Sequence, residues 1–249
     1  MDKDRVEQLL RAACDFGGNN MKARAACREK YRAAEKNEEN ILRILIDGAM
    51  ATLAMRTTQK IAAVNETISY QLGVSASFVR THFIVSEMIM DGDLVEAMVL
   101  LRKQLESLVR LHELDTKPVG KLEGKVPNIQ NVMNKGAGRV YGNLSEVAHF
   151  AKPKVTELLH VVENGERCGP SLHPLYSERA LACFDLHCYV AIYFLAWFVE
   201  KLTAWYPEYV ADADKELVGH IAKIAIDAGV IRLDAGEQGG TTPQNGPAA

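Results

Sequence analysis

Arg102 and Glu106 lie four residues apart in the run Leu100-Leu101-Arg102-Lys103-Gln104-Leu105-Glu106, a spacing that lets a guanidinium and a carboxylate on one helix neutralise each other. On a wheel turning ~100° per residue, Arg102 falls among Leu94, Val95, Met98, Val99, Leu105 and Val109, with Glu106 and Glu113 close by. A charge inside an apolar arc needs a partner, since an unpaired buried charge is strongly destabilising. Either the pair is a buried lock between helices, or it marks a polar pocket in which Arg102 faces an anion. A second constellation is Tyr141, Ser145 and His149, whose steps of four place all three on one helical stripe. A hydroxyl beside an imidazole can be nucleophile and base, and histidine moves protons near neutral pH. The structural reading is a hydrogen-bonded Ser145/His149 seam stitching a short helix to its neighbour.

Three further patterns carry less. Cys183 and His187 share a helical face as metal ligands can, yet two ligands make no zinc site and Cys188 points elsewhere, so no metal is expected. Asn134-Lys135-Gly136-Ala137-Gly138-Arg139 offers backbone N–H groups to a phosphate but lacks the Walker spacing, which favours a flexible loop. The basic run Lys22, Arg24, Arg28, Lys30, Arg32, Lys36 has only Glu29 and Glu35 as counter-charges; it is either an RNA-binding face or a solvated helix face. No cofactor is called for.

These groups need a scaffold, and the composition supplies one. The chain has 249 residues, 48% hydrophobic and 24% charged, with a net charge of −3; that excludes sustained disorder, collagen and a strongly basic nucleic-acid arm. A chain of this length buries roughly 70–75% of its unfolded surface and supports its own core. Five cysteines, none in a C-x-x-C pair, and the polar start MDKDRVEQLL point to a reducing cytoplasm.

The pattern along the chain is that of a mainly α protein, a helical bundle. An Ala/Arg/Lys/Glu-rich helix occupies the first forty residues and continues, through Ile41, Leu42, Leu45, Ile46, Ala49, Met50 and Leu53, to about Thr57. Ser75 caps a second helix ending at Asp91-Gly92, and Asp93 caps a third reaching about Leu114. Residues 115–138, with Pro118, Pro127 and several glycines, form a long loop holding at most a short helix around 128–134. Val140–Phe150 is a short helix. Residues 155–173 suggest a β-hairpin about Asn164-Gly165, although Thr156–Val162 also fits a helix. The most apolar helix runs from Ser177 to Tyr206. Its longest uncharged run, Leu186 to Val199, is fourteen residues and contains His187, too short for a bilayer, so it is assigned to a core and no membrane is expected. A last helix spans Asp212 or Asp214 to Ala228, before a disordered tail. The organisation is therefore 1–57 as an N-terminal helical region, 58–211 as the bundle core, 212–235 as a C-terminal helix and 236–249 as the tail.

The run Gly92–Ala97 followed by Leu100–Glu106, the downstream Tyr141-x-x-x-Ser145-x-x-x-His149 and the long apolar helix together resemble bacterial helical proteins of the HEPN group, over about residues 75–206. The resemblance implies a helical bundle, often dimeric, in which some relatives are metal-independent ribonucleases of toxin or phage-defence systems and others are inactive binding modules. Ribonuclease members carry an Arg, a short spacer and a His near a helix. Arg167 to His173 has that spacing but contains Gly169-Pro170, which a regular helix does not accommodate. The expected assembly is instead Arg102 facing His149 across the bundle, oriented by Glu106, Tyr141 and Ser145. There Arg102 would stabilise phosphoryl charge and His149 would move a proton, with the ribose 2′-hydroxyl as nucleophile. RNA or a nucleotide is the expected ligand. The alternative is a non-enzymatic interaction module with a protein partner. Leu100 and Leu111, opposite the main apolar arc, point to a homodimer or to a second packing partner within the chain.

Overall fold

A computed structural model describes residues 2–61, 63–129, 135–163 and 166–231. The predicted tail over 236–249 lies outside the described residues, as do Asn164-Gly165 and most of the short helix expected around 128–134. Eight α-helices are present among the described residues: α1 (Lys3–Ala34), α2 (Asn37–Arg56), α3 (Glu66–Asp91), α4 (Leu94–Thr116), α5 (Val119–Leu122), α6 (Lys135–Ala148), α7 (Arg179–Trp205) and α8 (Asp212–Asp227). The chain is mainly α, as its periodicity indicates.

The expected continuous helix over the first 57 residues is two helices. Glu35 and Lys36 are extended, and both sides of the elbow are satisfied by side chains. Arg43 donates through Nε and Nη2 to the Glu35 carboxylate at 3.1 and 3.2 Å, while Glu39 accepts from the Lys36 backbone N–H at 2.9 Å. That closes the orphan donor at the start of α2. The stretch of α1 before Asn20 is exposed apart from half-buried Val6, with Leu9, Leu10 and Phe16 showing large apolar surface. Its second half is anchored: Cys27 and Tyr31 are buried, and Arg24 and Arg28 pair with Asp91 at the end of α3.

α3 starts ten residues earlier than expected. Asn65, not Ser75, is its N-cap and accepts from the Ile68 N–H at 2.8 Å; Ser75 is buried in the helix interior. The end at Gly92 is as read. Gly92 has φ +84, a conformation glycine adopts without strain. A Cβ there would lie 2.6 Å from the Leu175 carbonyl oxygen and 2.8 Å from Cys27 Sγ, so three segments close on a position that only glycine fits. α4 follows, capped at Asp93 by position although that side chain makes no capping bond.

The expected loop over 115–138 is shorter at both ends. α4 reaches Thr116, α5 interrupts it, and α6 begins at Lys135. Gly136 and Gly138 weaken a first helical turn, but Leu144 and Val147 on the buried face of α6 pack on the body and carry the helix through them. The loop is pinned from below, where Arg110 donates to the Leu122 carbonyl at 3.0 Å. Glu113 accepts from the Asn128 N–H at 3.4 Å.

The hairpin exists, and the helical alternative is realised beside it. Pro153–Leu159 is a 3-10 helix; β1 (His160–Glu163) then pairs antiparallel with β2 (Glu166–Pro170), Val161 opposite Gly169. Gly169-Pro170 thus lies in a strand, and Arg167 and His173 share no helix.

α7 is the central element and packs against α2, α3, α4 and α8. It is the one helix among the described residues long and apolar enough to cross a membrane, and 67% of its most apolar 18-residue stretch is buried in the bundle. Phe194 stacks on Phe78 of α3 with ring centroids 4.0 Å apart. Asp115 ties three helices together, accepting from Gln71 Nε2 at 2.8 Å and Trp197 Nε1 at 2.9 Å, and pairing with Lys201 at 2.7 Å. A carboxylate with three donors, 22% of its side chain open to water, is a satisfied one.

Candidate functional site

The buried face of α4 is centred on Ala97, Leu101, Leu105, Leu108 and Leu111, which moves the apolar arc away from the one read off the wheel. Val99, counted with the core, is 38% exposed. Leu111, counted as outward, is fully buried, and Leu100 packs against the core. The chain itself covers Leu111 fully and Leu100 in part, the packing partner within the chain that the sequence also allowed. Arg102 therefore stands on the shoulder of α4, its side chain 21% exposed, with Glu106 at 26%. An arginine there meets water and protein together.

α6 lies across that shoulder. Val147 meets Val95 of α4 and Val155 of the 3-10 helix, and the adjoining stripe of α6 carries Tyr141, Ser145 and His149 toward Arg102. Four of the five expected residues come together. Arg102 Nε donates to Glu106 Oε1 at 3.0 Å, Nη2 donates to the Tyr141 hydroxyl at 3.1 Å, and Nη1 lies 2.8 Å from His149 Nε2. Tyr141 in turn donates to Glu106 Oε1 at 2.7 Å. The guanidinium carbon sits 5.2 Å from the Tyr141 ring centroid. Ser145 does not join: its hydroxyl oxygen is buried with no hydrogen-bond partner among the described residues. The expected Ser145/His149 seam is absent because the imidazole turns to Arg102.

Arginine has only donors, so His149 Nε2 must be the acceptor and the ring in this contact is neutral with its proton on Nδ1. Three of the five guanidinium N–H groups are held by the cluster, and two, one on each terminal nitrogen, have no partner among the described residues. Partial burial works against the Arg102 charge, but the Tyr141 and Glu106 hydrogen bonds outweigh it and raise its pKa above the ordinary arginine value. The cluster is a fixed cation beside an exposed neutral imidazole. That combination can bind an oxyanion and exchange a proton.

The end of α6 next to this cluster is unusual. The Ala151 N–H donates to the Glu146 carbonyl at 2.9 Å and the Phe150 N–H to that of Val147 at 3.2 Å, a Schellman closure with Phe150 in the position glycine normally fills. Phe150 has φ +48 and is the one non-glycine residue with positive φ among those described. A Cβ in the left-handed region costs roughly 1–2 kcal/mol, and the ring is 54% exposed. Sequence reasoning passed over it because a phenylalanine before Ala-Lys-Pro reads as an ordinary helix end; the glycine missing from the stop position was the available signal.

A second histidine cluster lies in the core. His82 of α3 and His187 of α7 stack with centroids 4.5 Å apart. His82 Nε2 is 2.8 Å from Asp47 of α2, and His187 Nδ1 is 3.3 Å from Gln104 Oε1 of α4. Burial and the neighbouring His82 push the His187 pKa well below the ordinary histidine value. Cys183, one turn before it, is buried and its thiol is pushed up to about 12. Among the described residues no group of three His, Cys, Asp or Glu side chains is arranged to hold a metal ion.

The basic run of α1 is partly spent. Arg28 pairs with Asp91 and Glu87, Arg24 with Asp91 and Asp93, and Lys36 with Glu39. A cavity of about 290 Å³ opens beside Arg24, lined also by Asp93, Glu96, Ser171 and His173; sequence reasoning named Arg24, Asp93 and His173 separately and did not bring them together. Set against family models, curated proteins and solved structures, the chain matches none of them.

Proposed function

We propose that the Arg102–His149 cluster binds a phosphodiester of RNA and cleaves it by metal-independent transfer to the ribose 2′-hydroxyl, the activity implied by the resemblance to HEPN ribonucleases. The observation that carries this reading is the 2.8 Å contact between Arg102 Nη1 and His149 Nε2. It joins a fixed cation to an exposed base, from segments 47 positions apart in the chain, where substrate can reach both. Because His149 is exposed, its ring can exchange Arg102 for the 2′-hydroxyl. Nε2 then takes the hydroxyl proton, the O2′–P bond forms and the P–O5′ bond breaks. The Arg102 N–H released by His149 joins the two free ones on the phosphoryl oxygens as negative charge builds. Glu106 and Tyr141 hold the guanidinium plane. The departing 5′ oxygen takes a proton from water, and His149 returns its own to solvent. The products are a 2′,3′-cyclic phosphate and a 5′-hydroxyl.

The test is incubation of the purified protein, Arg102→Ala and His149→Ala with end-labelled total and structured RNA in EDTA. Cleavage by the unaltered protein with cyclic-phosphate ends, lost in both folded variants, supports the reading. Intact RNA with the unaltered protein, or cleavage that survives either substitution, overturns it.

One observation favours a second reading, a protein-interaction module of homodimeric or heteromeric kind. The first half of α1 exposes Leu9, Leu10 and Phe16. On that reading the unaltered protein leaves RNA intact, and Leu10→Lys abolishes a self-association visible by sedimentation.

A further inference from the structure

The Arg102–His149 reading leaves open what holds the rest of the nucleotide, and the strained end of α6 supplies a group for it. We propose that Phe150 is a stacking platform for one base of single-stranded RNA, which places that nucleotide's phosphodiester at Arg102 and His149. The proposal rests on the reading of that cluster as an RNA site and adds the substrate class, unpaired rather than duplex RNA.

Two features of Phe150 run against folding. Its backbone occupies the left-handed region at φ +48, where glycine would be unstrained. Its ring stands 54% exposed and forms no ring contact with another aromatic side chain among the described residues. A residue held in an unfavourable conformation, exposed and adjacent in sequence to His149, is better explained by a ligand than by the fold. Its surroundings suit a nucleotide. The guanidinium of Arg102 contacts the neighbouring His149 ring at Nε2, and Lys152 and Lys154 follow Phe150, both exposed and both leaning on the single carboxylate of Glu146. An aromatic face set among cations is the arrangement by which proteins bind single strands, because every base has a π face and a duplex hides it. The Schellman closure fixes the direction of the chain after His149, so ring and imidazole are held one residue apart on a rigid helix end.

The experiment measures binding of a short fluorescein-labelled single-stranded oligoribonucleotide carrying 2′-O-methyl ribose, which cannot be cleaved, and of the same strand in a duplex. Phe150→Gly removes the ring and relaxes the backbone, so its melting temperature is expected to hold or rise. Its single-strand affinity is expected to fall about 5- to 150-fold, the range for loss of one base–aromatic stack, with duplex binding unchanged. Phe150→Trp is expected to restore the affinity. Single-strand binding by Phe150→Gly equal to that of the unaltered protein, in the presence of a clear loss in Arg102→Ala, overturns the platform and leaves the phosphate site standing. No binding by the unaltered protein overturns both.

Discussion

Two histidine clusters meet on one helix. Arg102 and Gln104 are two residues apart on α4 and so face opposite sides of it; Arg102 looks toward α6 and His149, Gln104 toward α7 and His187. The outer cluster is partly exposed, and each of its four side chains makes at least one hydrogen bond within it. In the inner one both histidines and Gln104 are buried while Asp47 reaches water, and His82 Nδ1, His187 Nε2 and Gln104 Nε2 have no hydrogen-bond partner among the described residues. Residue type alone gives the two equal claims to chemistry. Access separates them: a satisfied cluster at the surface can trade a partner for a substrate, whereas a buried one with orphaned atoms contributes to the uniqueness of the packing or to its weakness.

The largest effect that distinguishes the clusters is on activity. Arg102→Ala and His149→Ala are expected to lower RNA cleavage at least ~100-fold with helical circular dichroism unchanged. His187→Leu, which keeps the core filled, should leave the rate within a few fold; an equal loss in all three would dissolve the comparison. The next effect is on stability. His187→Ala opens a hole in the core and should cost about 2–4 kcal/mol in urea unfolding, whereas His149→Ala at the surface should stay within about 0.5 kcal/mol.

Acid should act on the inner cluster through His187. His187 has a folded pKa well below its unfolded value, so at low pH the unfolded chain binds more protons than the folded one. Its contribution is constant above about pH 6.5, where the unfolded imidazole is neutral. Stability then falls as pH drops below that point, with a slope of up to about 1.4 kcal/mol per pH unit until the folded imidazole itself protonates. Urea midpoints between pH 7 and 5 should show this slope, and it should flatten in His187→Leu. Smallest of all is Phe150→Gly. Relief of the left-handed Cβ, less the added freedom of glycine in the unfolded chain, should raise stability by about 0.5–1 kcal/mol; a decrease would mean that the ring supports the fold.

How much of this was legible in the sequence differs by element. The helix end at Gly92, the apolar α7 and the start of α8 are local signals, a positive-φ glycine, a run without charges and an acidic first turn, and each stands where its residues put it. The elbow at Glu35–Lys36 was not legible because it is made by Arg43, eight residues away. The start of α3 was missed because Ser75 and Asn65 are both acceptable caps, and only packing of the first turns decides between them. In the site, spacing brought Tyr141 and His149 to one stripe and Arg102 to Glu106. Which stripe faces which depended on the α4 wheel, whose centre was misjudged through Val99 and Leu111. Gln104 was the sharper clue, an amide in the middle of the buried face with His187 opposite. Ser145 shows the limit of periodicity, since it shares the stripe and yet bonds to neither neighbour.

α1 has 32 residues, about 48 Å at 1.5 Å per residue; its buried residues and ion pairs to the body lie in the second half, and Phe16 adds a ring contact with His173, centroids 4.8 Å apart. The exposed stretch before Phe16 is a rod attached to a compact body. It should raise the radius of gyration above the ~18 Å of a compact domain of this length, visible by small-angle scattering, and slow rotational diffusion. Without a packed face a helix of that length is marginal in water, so it should unwind separately from the body. Amide exchange is expected to be fastest near Lys3 and to slow progressively toward Cys27 and Tyr31, a gradient of protection along a single helix.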